Sequence, residues 1–196
     1  MENSSKNDTL KYANGDVFEG TFKDNKPHIG KVLLSNGEVG YNVEWIEGDV
    51  EIRTRYDSYY DDAKLKPMEK CYYKDGEVIK KQEYHESGQI ASNCALEGGE
   101  PHGRERKYFE DGIIKIDIDW KEGKKHGKEL EYSESGHIKT EIEWIEGKKI
   151  KQLKYHYESE KIKMELNWKD SKKHGKHINY YENGNIKTDL DWIEGK

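Results

Sequence analysis

Residues 124–147, KKHGKELEYSESGHIKTEIEWIEG, return at 172–195 as KKHGKHINYYENGNIKTDLDWIEG, with 15 of 24 positions identical. The 48-residue offset predicts a weaker copy between them. Trp120, Trp144, Trp168 and Trp192 mark it, each 24 residues after the last. A fixed period of this size argues against one globular core, because each unit buries its apolar residues only against its neighbours. Two turn columns run through the periods: Gly88, Gly112, Gly136, Glu160 and Gly184, then Gly99, Gly123, Gly147, Ser171 and Gly195. Each period is therefore a two-stranded hairpin. Residues 150–171 lose glycine at Lys151, Glu160 and Ser171, and are expected to keep the hairpin with altered turns.

Side chains alternate faces along a strand. In IKTEIEW, residues 138–144, alternation places Ile138, Thr140, Ile142 and Trp144 on one face and Lys139, Glu141 and Glu143 on the other. Equivalent residues stack into columns. Asp117, Glu141, Glu165 and Asp189 form an acidic one, as do Asp119, Glu143, Asn167 and Asp191; Lys115, Lys139, Lys163 and Lys187 form a basic one. A tyrosine column runs through Tyr84, Tyr108, Tyr132, His156 and Tyr180. The aromatic face is expected to be a shallow groove. Its candidate partner-binding residues are Tyr108, Tyr132, Tyr180, Trp120, Trp144, Trp168 and Trp192, with the column Asp117, Glu141, Glu165 and Asp189 offering charge. The turn edges differ in sign: Lys124, Lys125, Lys148, Lys149, Lys172 and Lys173 line one, a candidate edge for anions or a membrane surface, and Glu110, Asp111, Glu134, Glu158 and Glu182 the other.

Hydrophobic residues make up only 32% of the 196, and charged residues 38%, which leans toward disorder. Fourteen Tyr and five Trp argue the other way. A single-layer sheet resolves the conflict, since it buries one stripe of large side chains per strand and leaves much of its surface wet. The net charge of −6 disfavours nucleic acid, whose phosphates need basic surfaces. Two cysteines, Cys71 and Cys94, are too few for a disulfide framework, and Cys94 reads as a small core residue. MENSSKND has no apolar signal core, so a cytoplasmic location is expected.

In chain order, residues 1–10 read as a flexible N-terminus and 11–49 as hairpins turning at Asn14-Gly15 and Asn36-Gly37. Val17, Phe22, Val32, Leu34, Val39, Tyr41, Val43 and Trp45 can supply one buried face there. YANGDVFEGTFKDNKPHIG, residues 12–30, resembles a MORN repeat, whose pattern is Y-x-x-G-x-x-Y-x-G-x-[WF] and then a Gly-containing turn. Tyr12, Gly15, Phe18, Gly20, Phe22 and Gly30 stand in the matching places, with Phe18 for the usual Tyr. Residues 50–75 read as a degenerate repeat or joint, with a strand at 51–56 and a longer turn at 57–68; residues 76–196 are the 24-residue array. The later units resemble the bacterial variant of the repeat.

The expected fold is all-β: an elongated single-layer antiparallel meander of stacked hairpins, with about fifteen short strands. Column neighbours ~10 Å apart cannot share one metal ion, so His102, His126 and His174 read as turn residues rather than ligands. No H-E-x-x-H, P-loop, G-x-S-x-G or C-x-x-C motif occurs. An open sheet offers no dry cleft for acid–base chemistry, so neither an enzyme nor a cofactor is expected. The resemblance implies a protein-binding function. Proteins with the variant repeat are often described as antitoxin or immunity partners, which makes a toxin a candidate ligand. A membrane-associated scaffold using the lysine edge is the second expectation. The last strand, near 186–192, offers an edge to a partner or to a second copy.

Overall fold

The computed structural model describes residues 6–46, 50–56, 67–157 and 159–195. They form sixteen strands and no helix, and each strand's sheet neighbours are its neighbours in the chain. The fold is thus an antiparallel meander, as the repeat pattern requires. Two compact units divide it, residues 1–90 and 91–196. The first holds β1 (Lys6–Lys11), β2 (Val17–Lys23), β3 (Lys26–Leu33), β4 (Val39–Ile46), β5 (Val50–Tyr56), β6 (Pro67–Lys74) and β7 (Glu77–Tyr84). The second holds β8 (Ile90–Glu97, whose first residue closes the first unit), β9 (Glu100–Tyr108), β10 (Ile114–Lys121), β11 (Lys124–Tyr132) and β12 (Ile138–Ile145). It continues with β13 (Lys148–Tyr155), β14 (Ile162–Lys169), β15 (Lys172–Tyr180) and β16 (Ile186–Trp192).

Residues 6–10, expected as part of a frayed terminus, belong to β1 and pair with β2 from Lys6↔Phe22 to Lys11↔Val17. Backbone hydrogen bonds need no apolar pattern, so a polar stretch can still add a strand to an existing edge. β5 and β6 pair in register from Val50↔Lys74 to Arg55↔Glu69, so the weak stretch keeps its ladder. Most of the longer turn expected at 57–68 lies outside the described residues; Pro67 opens β6.

The first unit centres on Phe18, Val32 and Val43, with Tyr12, Phe22, Tyr41 and Trp45 packed against them. Register brings Gly20 opposite Gly30, and Gly30 opposite Val43. This glycine pair leaves the gap that the Phe18 ring fills. A Cβ at Gly30 would stand 2.5 Å from Phe18 Cε2 and 2.4 Å from the Glu19 carbonyl oxygen. One at Gly20 would stand 2.3 Å from the Ile29 carbonyl oxygen. Phe22 and Trp45 meet the Phe18 ring edge-on, with centroids at 5.5 and 5.9 Å. Three of the residues expected in this face are elsewhere. Leu34 and Val39 are exposed, and Val17 alternates with Phe18 and so points away from it. The other five, Phe22, Val32, Tyr41, Val43 and Trp45, lie in the core or pack against it.

Among the described residues of the second unit the buried apolar side chains are Ile118 and Leu166, so cross-strand pairs carry more of its stability. Its register departs from strict alternation twice per period. Ile138 lies opposite Tyr132 and Thr140 opposite Glu131, so Lys139 between them is a bulge residue with no opposite residue in the ladder. The same slip recurs at Lys115, Lys163 and Lys187. The isoleucine before each lysine therefore lies across from a tyrosine. The second slip is at Gly103, Gly127 and Gly175, which have φ of +75°, +82° and +74°. There His126, Gly127 and Lys128 of β11 span what Asp119 alone spans on β10.

β13 lacks this second bulge in full. Between Lys149↔Trp144 and Lys151↔Glu143 it carries only Ile150. The strand is one residue shorter than β9, β11 or β15, and the turn after it is one residue longer, closed by His156 N–H to the Lys161 carbonyl. The 24-residue spacing of the tryptophans survives because the two changes cancel. Tyr155, not His156, consequently occupies the tyrosine slot, and Lys151 stands where Lys128 does.

The turns without glycine keep the glycine conformation: φ is +52° at Glu160, +49° at Asp170 and +64° at Ser171. A side chain in this region costs ~1 kcal/mol. Ser171→Gly should therefore raise the stability of the second unit by about 1 kcal/mol. Thermal denaturation reads this as a midpoint increase of a few degrees; an unchanged or lower midpoint would show that the turn is not strained.

Candidate functional site

The repeat gives the second unit two faces of different chemistry. On one, the tryptophans are held by an indole N–H bond, stacked by lysines, or both. Trp120 Nε1 donates to Glu105 at 2.8 Å and Trp144 Nε1 to Glu129 at 2.8 Å. Trp192 Nε1 donates to His177 Nδ1 at 3.4 Å. Each acceptor precedes its tryptophan by 15 residues. Trp168 Nε1 is buried without a partner; the shortened β13 puts Gln152 in the slot that Glu129 fills in β11. Lys125 Nζ lies 4.9 Å from the Trp144 ring centroid and also pairs with Glu129 at 2.8 Å. Lys149 lies 5.5 Å from Trp144 and 5.2 Å from Trp168, and Lys173 lies 4.6 Å from Trp192. Burial first, then Lys125, pushes the Lys149 ammonium below its usual range. Each such stack contributes ~0.5–1 kcal/mol at a half-exposed site.

The other face carries the acidic column, and a cation crosses to every member of it. Asp117 is 5% exposed and accepts from Arg104 Nε and Nη2 at 2.5 Å each and from Arg106 Nε at 3.3 Å. Lys128 pairs with Glu141 at 2.8 Å, Lys151 with Glu165 at 2.6 Å, and Lys176 with Asp189 at 3.2 Å and Asp191 at 2.9 Å. The tyrosines belong here. Tyr155 Oη donates to Glu141 Oε2 at 3.2 Å, and after burial the Asp117 carboxylate is the largest influence raising the Tyr132 phenol.

Tyr108, Tyr132 and Tyr180 are thus separated from Trp120, Trp144, Trp168 and Trp192, which they were expected to join in one groove. The bulge residues explain the split, since each moves the following side chains out of simple alternation. Asp117, Glu141, Glu165 and Asp189 do form a column, but a neutralised one. The lysine edge divides too. Lys125, Lys149 and Lys173 are half-buried in the tryptophan stacks, while Lys124, Lys148 and Lys172 are exposed. Glu122, Glu146, Asp170 and Glu194 sit among them, and Lys148 reaches Asp170 at 3.4 Å. His126 has a turn role: its Nδ1 accepts from the Glu146 backbone N–H at 3.4 Å. Sequence reading placed Arg104 and Arg106 with the basic turn edge rather than on Asp117, and passed over the indole acceptors Glu105, Glu129 and His177 and the cations Lys128, Lys151 and Lys176. The 15-residue spacing was a legible signal for the first set; the second needs the strand register.

The Glu141 carboxyl is held below the usual carboxylate range, first by the Lys128 hydrogen bond. A depressed folded-state pKa adds stability above the unfolded value and loses it as pH falls through the folded one. Lys128→Gln should therefore lower stability at neutral pH by less than about 1 kcal/mol, as for an exposed cation. It should also flatten the acid limb of the stability profile below pH ~4.5. Urea titrations across that range measure both; parallel wild-type and variant profiles would contradict the pairing.

These strands match a family model, the MORN repeat variant, at residues 101–122, 125–146 and 173–192. Over these stretches the chain is similar to the MORN repeat variant. The unmatched period between the second and third is the one with the shortened β13. A search of curated proteins found no match. MORN repeats are in general binding modules for proteins or membranes and are a non-catalytic repeat type.

Proposed function

We propose that the chain is a cytoplasmic, non-enzymatic module that binds another protein through the tryptophan face of its second unit. The observation supporting this is the run of half-buried indoles at Trp120, Trp144, Trp168 and Trp192, each fixed at its N–H or stacked by lysine on an open sheet. Rigid aromatic anchors at a regular spacing suit a large partner surface, since fixing them in advance lowers the entropic cost of binding. Lysines flanking the rings favour a partner that presents carboxylates beside apolar groups. The carboxylate face suits this role less, because its charges are already paired. A toxin neutralised by the chain is the partner class suggested by the resemblance of its repeats.

Pull-down with the full chain followed by mass spectrometry tests the reading. One protein should be retained by the wild type and by Lys128→Gln, and lost with Trp144→Ala. Co-expression with the products of adjacent genes should relieve any growth arrest they cause. Retention of nothing by the wild type, with no rescue, sinks the proposal. A second reading, attachment to anionic membranes, is favoured by the exposed column Lys124, Lys148 and Lys172. Equal recovery with neutral and anionic liposomes would rule it out.

A further inference from the structure

The first unit carries a concavity of about 500 Å³ walled by Tyr12, Tyr41 and Trp45, with Asp16, Glu51 and Arg53 among its polar groups. Glu51 lies directly opposite Trp45, and Arg53 opposite Val43 beside it. Arg53 is already committed within the wall. Its Nε donates to Glu51 Oε1 at 2.7 Å and its Nη2 to Glu51 Oε2 at 3.4 Å. Its guanidinium also sits between the rings of Tyr41 and Tyr73, at 5.1 and 4.0 Å from their centroids. Asp16 accepts from the Ser35 backbone N–H at 3.0 Å and from Asn14 Nδ2 at 2.8 Å, and it keeps its charge uncompensated by any cation of the wall. Burial pushes the Tyr12 and Tyr41 phenols up, so they remain neutral at physiological pH.

The concavity therefore offers electron-rich ring faces, neutral phenol oxygens and, from Asp16 and Glu51 against Arg53, one net negative charge. An anion entering it would meet two carboxylates and an arginine whose charge is already paired. A cation would meet ring quadrupoles and the residual charge, the combination that attracts ammonium and guanidinium groups. The rings are also set in advance, because Trp45 is braced on the buried Phe18. We propose that this concavity receives a lysine or arginine side chain of a protein partner. The inference rests on the reading of the chain as a protein-binding array and adds a contact in the other unit.

Full-length protein labelled with 5-fluorotryptophan tests it, since Trp45 is the one tryptophan of residues 1–90. Its ¹⁹F resonance, assigned with Trp45→Phe, is followed while N-acetyl-arginine amide, N-acetyl-lysine amide or N-acetyl-glutamate amide is added at constant ionic strength. The Trp45 signal should move saturably with the two cationic probes, with dissociation constants on the order of millimolar, and not with the anionic one. Glu51→Gln and Tyr12→Leu should each weaken the response about fivefold, with signal dispersion reporting that the fold is kept. No saturable shift, an equal shift with the glutamate probe, or undiminished affinity in both variants overturns the proposal. The probes are free amino-acid derivatives, so this result is independent of whether the tryptophan face retains a partner; either reading can fail alone.

Discussion

Phe18→Ala is expected to destabilise the first unit by ~3–5 kcal/mol, the cost of truncating a fully buried phenylalanine. The value belongs at the upper end for this fold. A single-layer sheet has no second layer to relax into the cavity, and Phe18 supports both Phe22 and Trp45. Gly30→Ala should cost at least as much by the opposite route. Its Cβ would lie 2.5 Å from the Phe18 ring, and also 2.4 Å from the Glu19 carbonyl oxygen, which cannot rotate away. The double variant separates the two clashes. Removing the ring relieves one and leaves the backbone contact, so Phe18→Ala with Gly30→Ala should cost clearly less than the sum of the singles. Native-state hydrogen exchange on β2, β3 and β4 is the suitable readout, because two units need not unfold as one transition. Additive losses would mean that ring and glycine do not meet.

The same pair shows what can be read in a sequence of this kind. The turns were legible because a left-handed backbone leaves a residue signature: Gly88, Gly112, Gly136 and Gly184 all have φ near +90°. Hairpin order followed from those turns. Face assignment did not. Alternation is reliable only while strands stay in register, and the bulges at Lys115, Lys139, Lys163 and Lys187 break it once per period. Nothing in the spacing distinguishes a lysine in a bulge from a lysine on a face. Compensating changes hide equally well. Losing one residue in β13 and gaining one in the following turn leaves Trp144 and Trp168 at the usual interval while moving the tyrosine from 156 to 155. The acidic column was visible as a column, but its neutralisation depends on which cation the neighbouring strand delivers, as Lys128 to Glu141. For the candidate site this means that the tyrosines expected beside the tryptophans lie on the other face, with the carboxylates.

Trp144→Ala is where fold and function separate. A tryptophan in a closed core would cost ~3–5 kcal/mol on truncation. Trp144 is half-buried, so the burial lost is smaller, and about 2–3 kcal/mol is expected from that burial, the Nε1 bond to Glu129 and the Lys125 and Lys149 stacks. Trp144→Phe should recover most of the area but not the indole hydrogen bond, leaving a deficit of ~1 kcal/mol. Ile118→Ala provides the contrast. Ile118 is 4% exposed, so its truncation should cost ~2–4 kcal/mol and leave partner capture intact once the variant is folded. Equal or greater destabilisation with unchanged capture at one site, and smaller destabilisation with capture lost at the other, cannot both follow from a general loosening of the sheet. Denaturation midpoints and retained partner, measured on the same preparations, decide it. If Trp144→Ala proves as costly as a closed-core truncation and capture survives it, the indole column is the scaffold of the second unit, and the binding surface has to be sought away from it.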